Sequence, residues 1–209
     1  MTIDVWLAFA AASIVLLIIP GPTILAVVSY SVSHGKRANI PLVLAVALGD
    51  STALALSLLG LGTLLTTSAF WFTAIKWIGG LYLVYLGVKL LLAGRTTTIE
   101  TTSELSGSRW KLFGNTWLVT ALNPKGIIFF VAFLPQFLNT AKPVAPQLWI
   151  LSATFVFLAT LNAAMYTAFA GTARRIFSSP GAHKGFNLAG GSILTAAGIW
   201  ALSARQQAA

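Results

Sequence analysis

A proline-glycine-proline triplet, Pro20-Gly21-Pro22, lies in the middle of an apolar stretch that runs from residue 14 to residue 31. Proline removes a backbone donor and clashes with the preceding turn, so two prolines around a glycine interrupt a helix rather than bend it. At membrane depth, broken backbone is tolerated only where it is buried in protein or lines a cavity. A second break of this kind is predicted at Asn123-Pro124-Lys125. Such broken helices are typical of transporters, whose cavities commonly hold the substrate.

The whole sequence has the composition of an integral membrane protein. Of its 209 residues, 57% are hydrophobic and 8% are charged, whereas soluble domains carry about a quarter charged residues. Six apolar segments have about the 20 residues that a helix needs to cross the hydrocarbon. They are residues 4–32, 39–65, 69–93, 112–138, 147–171 and 186–204. We expect an all-α membrane protein with six transmembrane helices, the first and fourth of them broken at the proline motifs.

The basic residues predict the orientation of the chain. The net charge of +9 does not require a nucleic-acid partner, because the lysines and arginines fall in short connections between apolar segments, as the positive-inside rule predicts. Eight of them lie in connections on one side: Lys36, Arg37, Arg95, Arg109, Lys111, Arg174, Arg175 and Lys184. The opposite side has Lys142 and Arg205. We therefore expect no nucleic acid as a partner, and both termini outside the cytoplasm.

Glycine spacing indicates an internal repeat. The pair Gly79-Gly80 recurs 111 positions later as Gly190-Gly191, and Gly87 recurs at the same offset as Gly198. Three segments in each half would make the repeat inverted, as in many secondary transporters. We predict a first three-helix repeat over 1–93, a cytoplasmic linker loop over 94–111 and a second three-helix repeat over 112–209. The small residues of the third and sixth segments also offer contact faces for a homodimer.

Asp50 is the only carboxylate in the interior of an apolar segment, since Asp4 lies at the N-terminal edge of the first one. A charge at membrane depth costs about 3 kcal/mol or more, so such residues usually face a cavity and mark an ion or proton path. We therefore predict that Asp50 couples transport to protons. The alternative is that Asp50 reaches the interface or caps a helix. Applying the offset of 111 positions to Asp50 leads to Leu161, beside Asn162, which we expect at the same cavity.

Asn123-Pro124-Lys125 joins a helix break to a cation. The N-terminus of a half-helix has free N–H groups and the positive end of a dipole, both of which suit a carboxylate. Half-helices are expected to begin around Pro22 and Pro124, and Lys125 would add a full charge. The alternative is an interfacial Lys125 that faces the cytoplasm and orients its helix.

Together these residues predict a site for a zwitterion, with Asp50 near an ammonium group and Lys125 and the half-helix ends near a carboxylate. The predicted substrate-binding residues are Pro20, Gly21, Pro22, Thr23, Asp50, Asn123, Pro124, Lys125 and Asn162. Tyrosines are further candidates for the lining: Tyr30, Tyr82, Tyr85 and Tyr166.

Enzymatic and metal sites are disfavoured. Gly49-Asp50 is similar to the glycine-aspartate motif of intramembrane aspartyl proteases, but that chemistry needs two carboxylates that share a proton, and no second acid lies in an apolar segment. His34 and His183 fall in connections and are not a metal site. We expect no catalysis and no cofactor. A passive channel and a membrane scaffold remain open alternatives.

Several motifs are distributed along the chain. They are Pro20-Gly21-Pro22, the His34-Gly35 turn, Gly49-Asp50, KWIGGLYLVYLG from Lys76 to Gly87, and NPKGIIFFVAFLPQF from Asn123 to Phe137. In these motifs the chain resembles the lysine exporter superfamily, and within it the homoserine and threonine exporter branch. The Asn-Pro-Lys motif with its downstream Pro-Gln-Phe is the most specific part.

The resemblance implies a multi-pass exporter of amino acids or close derivatives in the bacterial inner membrane, driven by the proton gradient and assembled as a homodimer. A single acid within the apolar segments favours small neutral substrates, similar to threonine or homoserine, over lysine. An exporter of cations or of basic amino acids is the alternative within transport.

Overall fold

The computed structural model describes residues 1–67, 108–139, 141–177 and 179–203, and separate helical residues between 77 and 92. Its helices are α1 (Ile3–Ile18), α2 (Pro22–His34), α3 (Asn39–Thr67), α4 (Arg109–Ala121), α5 (Pro124–Ile128), α6 (Val144–Ala168), α7 (Ala170–Phe177) and α8 (Pro180–Ser203). The described residues contain no strand, which confirms the all-α prediction. Most of the third predicted segment, Tyr82, and most of the predicted linker loop lie outside the described residues.

Apolar length identifies the membrane-spanning stretches. Among the described residues, Pro22–Gly60, Arg109–Phe137 and Val144–Ala168 contain helices long and apolar enough to cross a bilayer, and α1 is apolar but shorter. The chain is therefore a multi-pass membrane protein. The arrangement as two inverted three-helix repeats stays a prediction.

Both predicted helix breaks are present. Helix α1 ends at Ile18, and α2 begins at Pro22, because proline suits the first position of a helix, where its missing N–H has no intrahelical partner to lose. Helix α4 ends at Ala121, and Asn123 caps the five residues of α5. The backbone then continues as a π-helical turn at Phe129–Phe133 and a 3-10 turn at Leu134–Phe137, which the sequence did not predict.

Two predicted segments differ most from the structure. Helix α8 begins at Pro180, six residues before the predicted start at 186, because its first turns contain polar residues that fall outside an apolar segment while proline still suits the first position. The predicted fifth segment is divided at Phe169, where α6 ends and the short, basic α7 follows.

A cluster of phenylalanines packs α1 and α3 against α6 and the turns that follow α5. Its buried rings belong to Phe9, Phe129, Phe130, Phe133, Phe137 and Phe155. Rings from different elements meet closely: the centroids of Phe130 and Phe155 lie 4.7 Å apart, edge to face, and those of Phe9 and Phe137 lie 5.3 Å apart. We refer to this group as the phenylalanine cluster. It fills the bundle on one side of the two breaks.

Contacts between elements give the helix directions. Trp6 of α1 donates a hydrogen bond to Thr154 of α6 at 2.9 Å, and Asn162 of α6 donates one to the Leu17 carbonyl at 3.2 Å. Residue number therefore increases in the same direction along both helices. Helix α3 runs the opposite way to α2, because Leu42 packs with Tyr30 while Val46 packs with Val27. The N-terminal ends of α1 and α6 thus lie at the same end of the bundle as the C-terminal end of α3.

Glycines of the third and sixth predicted segments face each other within one chain. A Cβ atom built on Gly191 would lie 2.7 Å from the Gly87 carbonyl oxygen, and one built on Gly87 would lie 2.7 Å from the Gly191 carbonyl oxygen. These two glycines permit close helix packing inside the protomer. This part of the predicted homodimer contact is therefore occupied by the chain itself.

Candidate functional site

A small cavity of about 30 Å³ lies between the two helix breaks. Six of the nine predicted site residues line it: Gly21, Thr23, Asp50, Asn123, Lys125 and Asn162. The three prolines, Pro20, Pro22 and Pro124, are not among its lining residues, and they fix where the surrounding helices end or begin. A cavity of this size has room for about two water molecules.

Lys125 faces this cavity and binds the broken end of α1. Its Nζ atom donates hydrogen bonds to the carbonyl oxygens of Leu16 at 2.9 Å and Ile19 at 2.8 Å. The last carbonyls of a helix have no intrahelical donor and carry the negative end of the dipole, so an ammonium group is well matched to them. An ammonium group has three N–H donors, and two of them bind these carbonyls. Lys125 therefore lies at the cavity, and its role in substrate binding stays a prediction.

Two residues of α6 bind the carbonyls that lie between those of Leu16 and Ile19. The Asn162 side-chain amide donates to Leu17 at 3.2 Å, and the Tyr166 hydroxyl donates to Ile18 at 3.0 Å. Four successive carbonyl oxygens at the end of α1 thus receive donors from side chains of the second half of the chain. We refer to these four, at residues 16 to 19, as the α1 carbonyls.

Asn123 connects the two breaks to each other. Its side-chain oxygen accepts a hydrogen bond from the Lys125 backbone N–H at 3.1 Å, which caps α5. Its side-chain amide donates to the Thr23 hydroxyl oxygen at 3.1 Å, in the first turn of α2. The Thr23 hydroxyl keeps its own hydrogen to donate, and Thr23 lines the cavity.

Asp50 is buried, with 8% of its surface exposed, and lines the same cavity as Lys125. Among the described residues, the structure gives its carboxylate no hydrogen-bond donor and no ion pair within 4.0 Å. Asp50 therefore lies at the cavity, and its role in proton coupling stays a prediction. An unpaired buried carboxylate is costly, and its position opposite an ammonium group in one cavity gives it an electrostatic partner.

Gly49 explains how Asp50 reaches this position. A Cβ atom built on Gly49 would lie 2.8 Å from Cγ2 of Thr120 and 3.0 Å from the Trp117 carbonyl oxygen, both in α4. Only glycine lets α3 approach α4 this closely, and the next residue of α3 is the cavity-lining Asp50. The Gly49-Asp50 motif therefore combines a packing residue with a charged one.

Some components of the site were not predicted from the sequence. The α1 carbonyls belong to apolar residues, although a break at Pro20 implies free carbonyls in the preceding turn, and that signal could have identified them. Val46 of α3 and Phe155 and Ala159 of α6 also line the cavity, and nothing in their residue types indicates this. Of the proposed tyrosines, Tyr166 binds Ile18, whereas Tyr30 packs with Ala38 and Leu42, away from the cavity lining.

Comparison with known proteins gives several similar chains. An uncharacterized membrane protein of Vibrio cholerae is 33% identical over 206 residues, which cover 98% of this chain and 100% of the relative. A homoserine/homoserine lactone efflux protein of Salmonella typhimurium is 31% identical over 208 residues, covering 98% and 99% of the two chains. A leucine efflux protein of Salmonella choleraesuis is 28% identical over 176 residues, covering 80% and 83%. No solved structure matches the chain.

The family model for LysE type translocators matches residues 14–205, which include both helix breaks and every residue of the site. Its members are all-helical membrane transporters. The chain belongs to the LysE type translocator family.

Proposed function

We propose that this protein is a secondary exporter that moves a small neutral amino acid or a close derivative, similar to threonine or homoserine, out of the bacterial cytoplasm in exchange for protons. The observation that carries the proposal is the cavity between two broken helices, which has one unpaired carboxylate and one ammonium group on its walls. The relatives named as efflux proteins for homoserine, homoserine lactone and leucine support the substrate class.

The substrate carboxylate would bind at Lys125 and at the first turn of α2. Two of the three Lys125 N–H donors bind α1 carbonyls, which leaves the third for a carboxylate. Thr23 offers its hydroxyl hydrogen in the same cavity, and the N-terminal end of α2 adds the positive end of its dipole. The proposed carboxylate site thus combines one full charge with directed donors.

The substrate ammonium group would bind at Asp50. A carboxylate without a hydrogen-bond donor can accept a proton or an ammonium group, and both neutralise it. Asp50 therefore holds either a proton or the substrate, which is the exclusive occupancy that antiport requires. Asn162 lines the same cavity, and its side-chain oxygen would provide a neutral acceptor there.

Transport would proceed by alternating access. The cavity has room for about two water molecules, so it would have to widen to admit an amino acid. Opening requires the half-helices to move relative to the rest of the bundle, for which the interrupted backbones at residues 19–21 and 122–123 are suited. We further propose inverted repeats, both termini outside the cytoplasm, and a homodimer in the inner membrane.

The test uses proteoliposomes that contain a trapped pH-sensitive dye. Homoserine, threonine, leucine, lysine and a cadmium salt are added in turn, and proton movement is recorded. We expect proton movement with the small neutral amino acids and its loss in Asp50→Asn, while Asp4→Asn, at the N-terminus, behaves as wild type. A response to lysine or cadmium alone would identify the exporter of basic amino acids or cations instead. Substrate flux without proton movement would indicate a channel, and no flux at all would indicate a scaffold.

A further inference from the structure

The wall of the cavity has a polar part and an apolar part. Thr23, Asp50 and Lys125 lie in the polar part, and the proposed function uses them for the ammonium and carboxylate groups that all amino acids share. Six further lining residues are apolar and come from α1, α2, α3 and α6: Leu16, Leu17, Ile24, Val46, Phe155 and Ala159. The side chain of a substrate, which is the part that differs between amino acids, would therefore contact apolar residues.

Helix α6 lines the cavity with one of its faces. Phe155, Ala159 and Asn162 follow one another at spacings of four and three positions, which places them in a row along the helix. The Asn162 amide binds the Leu17 carbonyl at 3.2 Å, and the Phe155 ring packs edge to face on Phe130. Ala159 lies between these two anchored side chains and contributes a single methyl group to the wall. Space on this face of α6 is therefore greatest at Ala159.

Ala159 lies opposite Asp50. Helix α3 runs opposite to α6, and Val46 of α3 packs in one buried cluster with Ala163 of α6. Asp50 follows Val46 by four residues on α3. Ala159 precedes Ala163 by the same number on α6. Four residues of helix rise about 6 Å, so Asp50 and Ala159 lie at the same level of the bundle, and both line the cavity.

We expect these two residues to keep their relative positions when the site opens. Helices α3 and α6 are continuous through the level of the cavity, whereas the breaks that permit movement lie between α1 and α2 and between α4 and α5. The α-carbon of an amino acid is bonded to its ammonium nitrogen. A substrate whose ammonium group binds Asp50 therefore has a side chain that begins close to the facing wall of α6.

We infer that Ala159 sets the largest side chain that the exporter accepts, because the substrate side chain lies against Ala159, in the gap between Phe155 and Asn162. The inference rests on the proposed function and specifies its substrate as an amino acid with a small uncharged side chain. A charged side chain is disfavoured, since it would lose its hydration against apolar residues without gaining a partner. Selection by size follows, because a close-packed wall has no room for an added methyl group.

The test measures transport of alanine, threonine, homoserine, valine and leucine in proteoliposomes that contain wild type, Ala159→Val or Ala159→Gly. We expect Ala159→Val to lower the rate for the largest amino acid that the wild type carries, relative to the smallest, at least about tenfold, since one methylene in an apolar pocket changes discrimination by about that factor. Ala159→Gly removes a methyl group and should shift the profile several-fold in the opposite direction, toward larger amino acids.

Two controls separate substrate contact from packing. Ala153→Val makes the same change at an exposed position of α6 and should leave every rate as in wild type. Gly126→Ala adds a methyl group at the cavity next to Lys125, where a Cβ atom would lie 3.9 Å from Phe130 Cε2, an ordinary contact. Because Lys125 would bind the carboxylate that all five amino acids share, this variant should change all five rates by the same factor.

Melting temperatures in detergent verify that each variant is folded, and Ala159→Gly decides the question if Ala159→Val does not fold. Unchanged relative rates in the folded Ala159 variants would overturn the inference, because the substrate side chain would then not contact this residue. A change of relative rates in Gly126→Ala, with none at Ala159, would overturn it by placing the side chain at α5. If the wild type carries none of the five amino acids, the proposed function itself fails, and the inference fails with it.

Discussion

Replacing Lys125 by methionine should destabilise the protein substantially, because it removes the cation that caps α1. The two hydrogen bonds from Nζ to Leu16 and Ile19 are 2.9 and 2.8 Å long, and each bond of this charged type contributes about 1.5–3 kcal/mol. Their loss therefore costs about 3–6 kcal/mol in the free energy of unfolding. The cavity can hold about two water molecules, which would replace part of the lost bonding, so we expect a value near the lower limit.

The assay is thermal unfolding of the purified protein in detergent. At about 2–4 °C per kcal/mol for a chain of this size, a cost of about 3 kcal/mol lowers the melting temperature by about 6–12 °C. Lys111→Met is the matched control, since Lys111 is exposed in the first turn of α4 and its loss should change stability by less than about 0.5 kcal/mol.

A double variant separates the capping bonds from the charge on Asp50. Lys125→Met leaves the Asp50 carboxylate without an opposite charge in the cavity, which is itself destabilising. Adding Asp50→Asn removes that effect and should reverse only part of the decrease in melting temperature. Full recovery would refute the reasoning, because the α1 carbonyls would then gain nothing from the ammonium group. A melting temperature of Lys125→Met within about 2 °C of wild type would correspond to a destabilisation of less than about 1 kcal/mol. That result would refute the capping role of Lys125 directly.

Two further predictions concern packing and a loop. Gly49→Val places a side chain where Thr120 Cγ2 lies 2.8 Å from a Cβ atom, so it should lower the melting temperature and abolish transport. A Cβ atom built on Gly60 meets no other atom within 4 Å, so Gly60→Ala should be neutral. The Gln147 side chain accepts a hydrogen bond from the Asn139 N–H and donates to the carbonyls of Asn139 and Pro143, at 2.9 to 3.0 Å. Gln147→Ala removes these bonds, so the turn before α6 should be cleaved faster in limited proteolysis. Unchanged cleavage would show that these bonds do not hold the turn.

Local chemistry made part of the site predictable. Proline removes a backbone donor and clashes with the preceding turn wherever it occurs in a helix interior, so Pro20-Gly21-Pro22 and Pro124 located both breaks without knowledge of any neighbour. Asp50 was identified because a carboxylate in an apolar segment is costly. These signals depend only on a residue and its immediate surroundings. The structure brings Asp50 and Lys125 to one cavity, and their roles in binding and proton coupling stay predictions.

The partners of Lys125 were not predictable in the same way. The sequence favoured a carboxylate for its ammonium group, whereas the structure gives it two backbone carbonyls more than 100 residues earlier in the chain. Every residue has a carbonyl, so no residue type marks the ones that a distant side chain will bind. The π-helical turn at Phe129–Phe133 was missed for a related reason, because it differs from an α-helix in its i→i+5 hydrogen bonds and no residue type marks that change.

The bonding at the end of α1 has a consequence for how the protein is made. Its four donors come from Lys125, Asn162 and Tyr166, which follow their acceptors by 106 to 148 positions. A ribosome therefore delivers α1 and α2 to the membrane well before any of these donors has been synthesised. The nascent first helix must wait with uncapped carbonyls, and only insertion of α5 and α6 completes it. During biogenesis, the hydrogen bonding of the first half of the chain is thus completed by the second half.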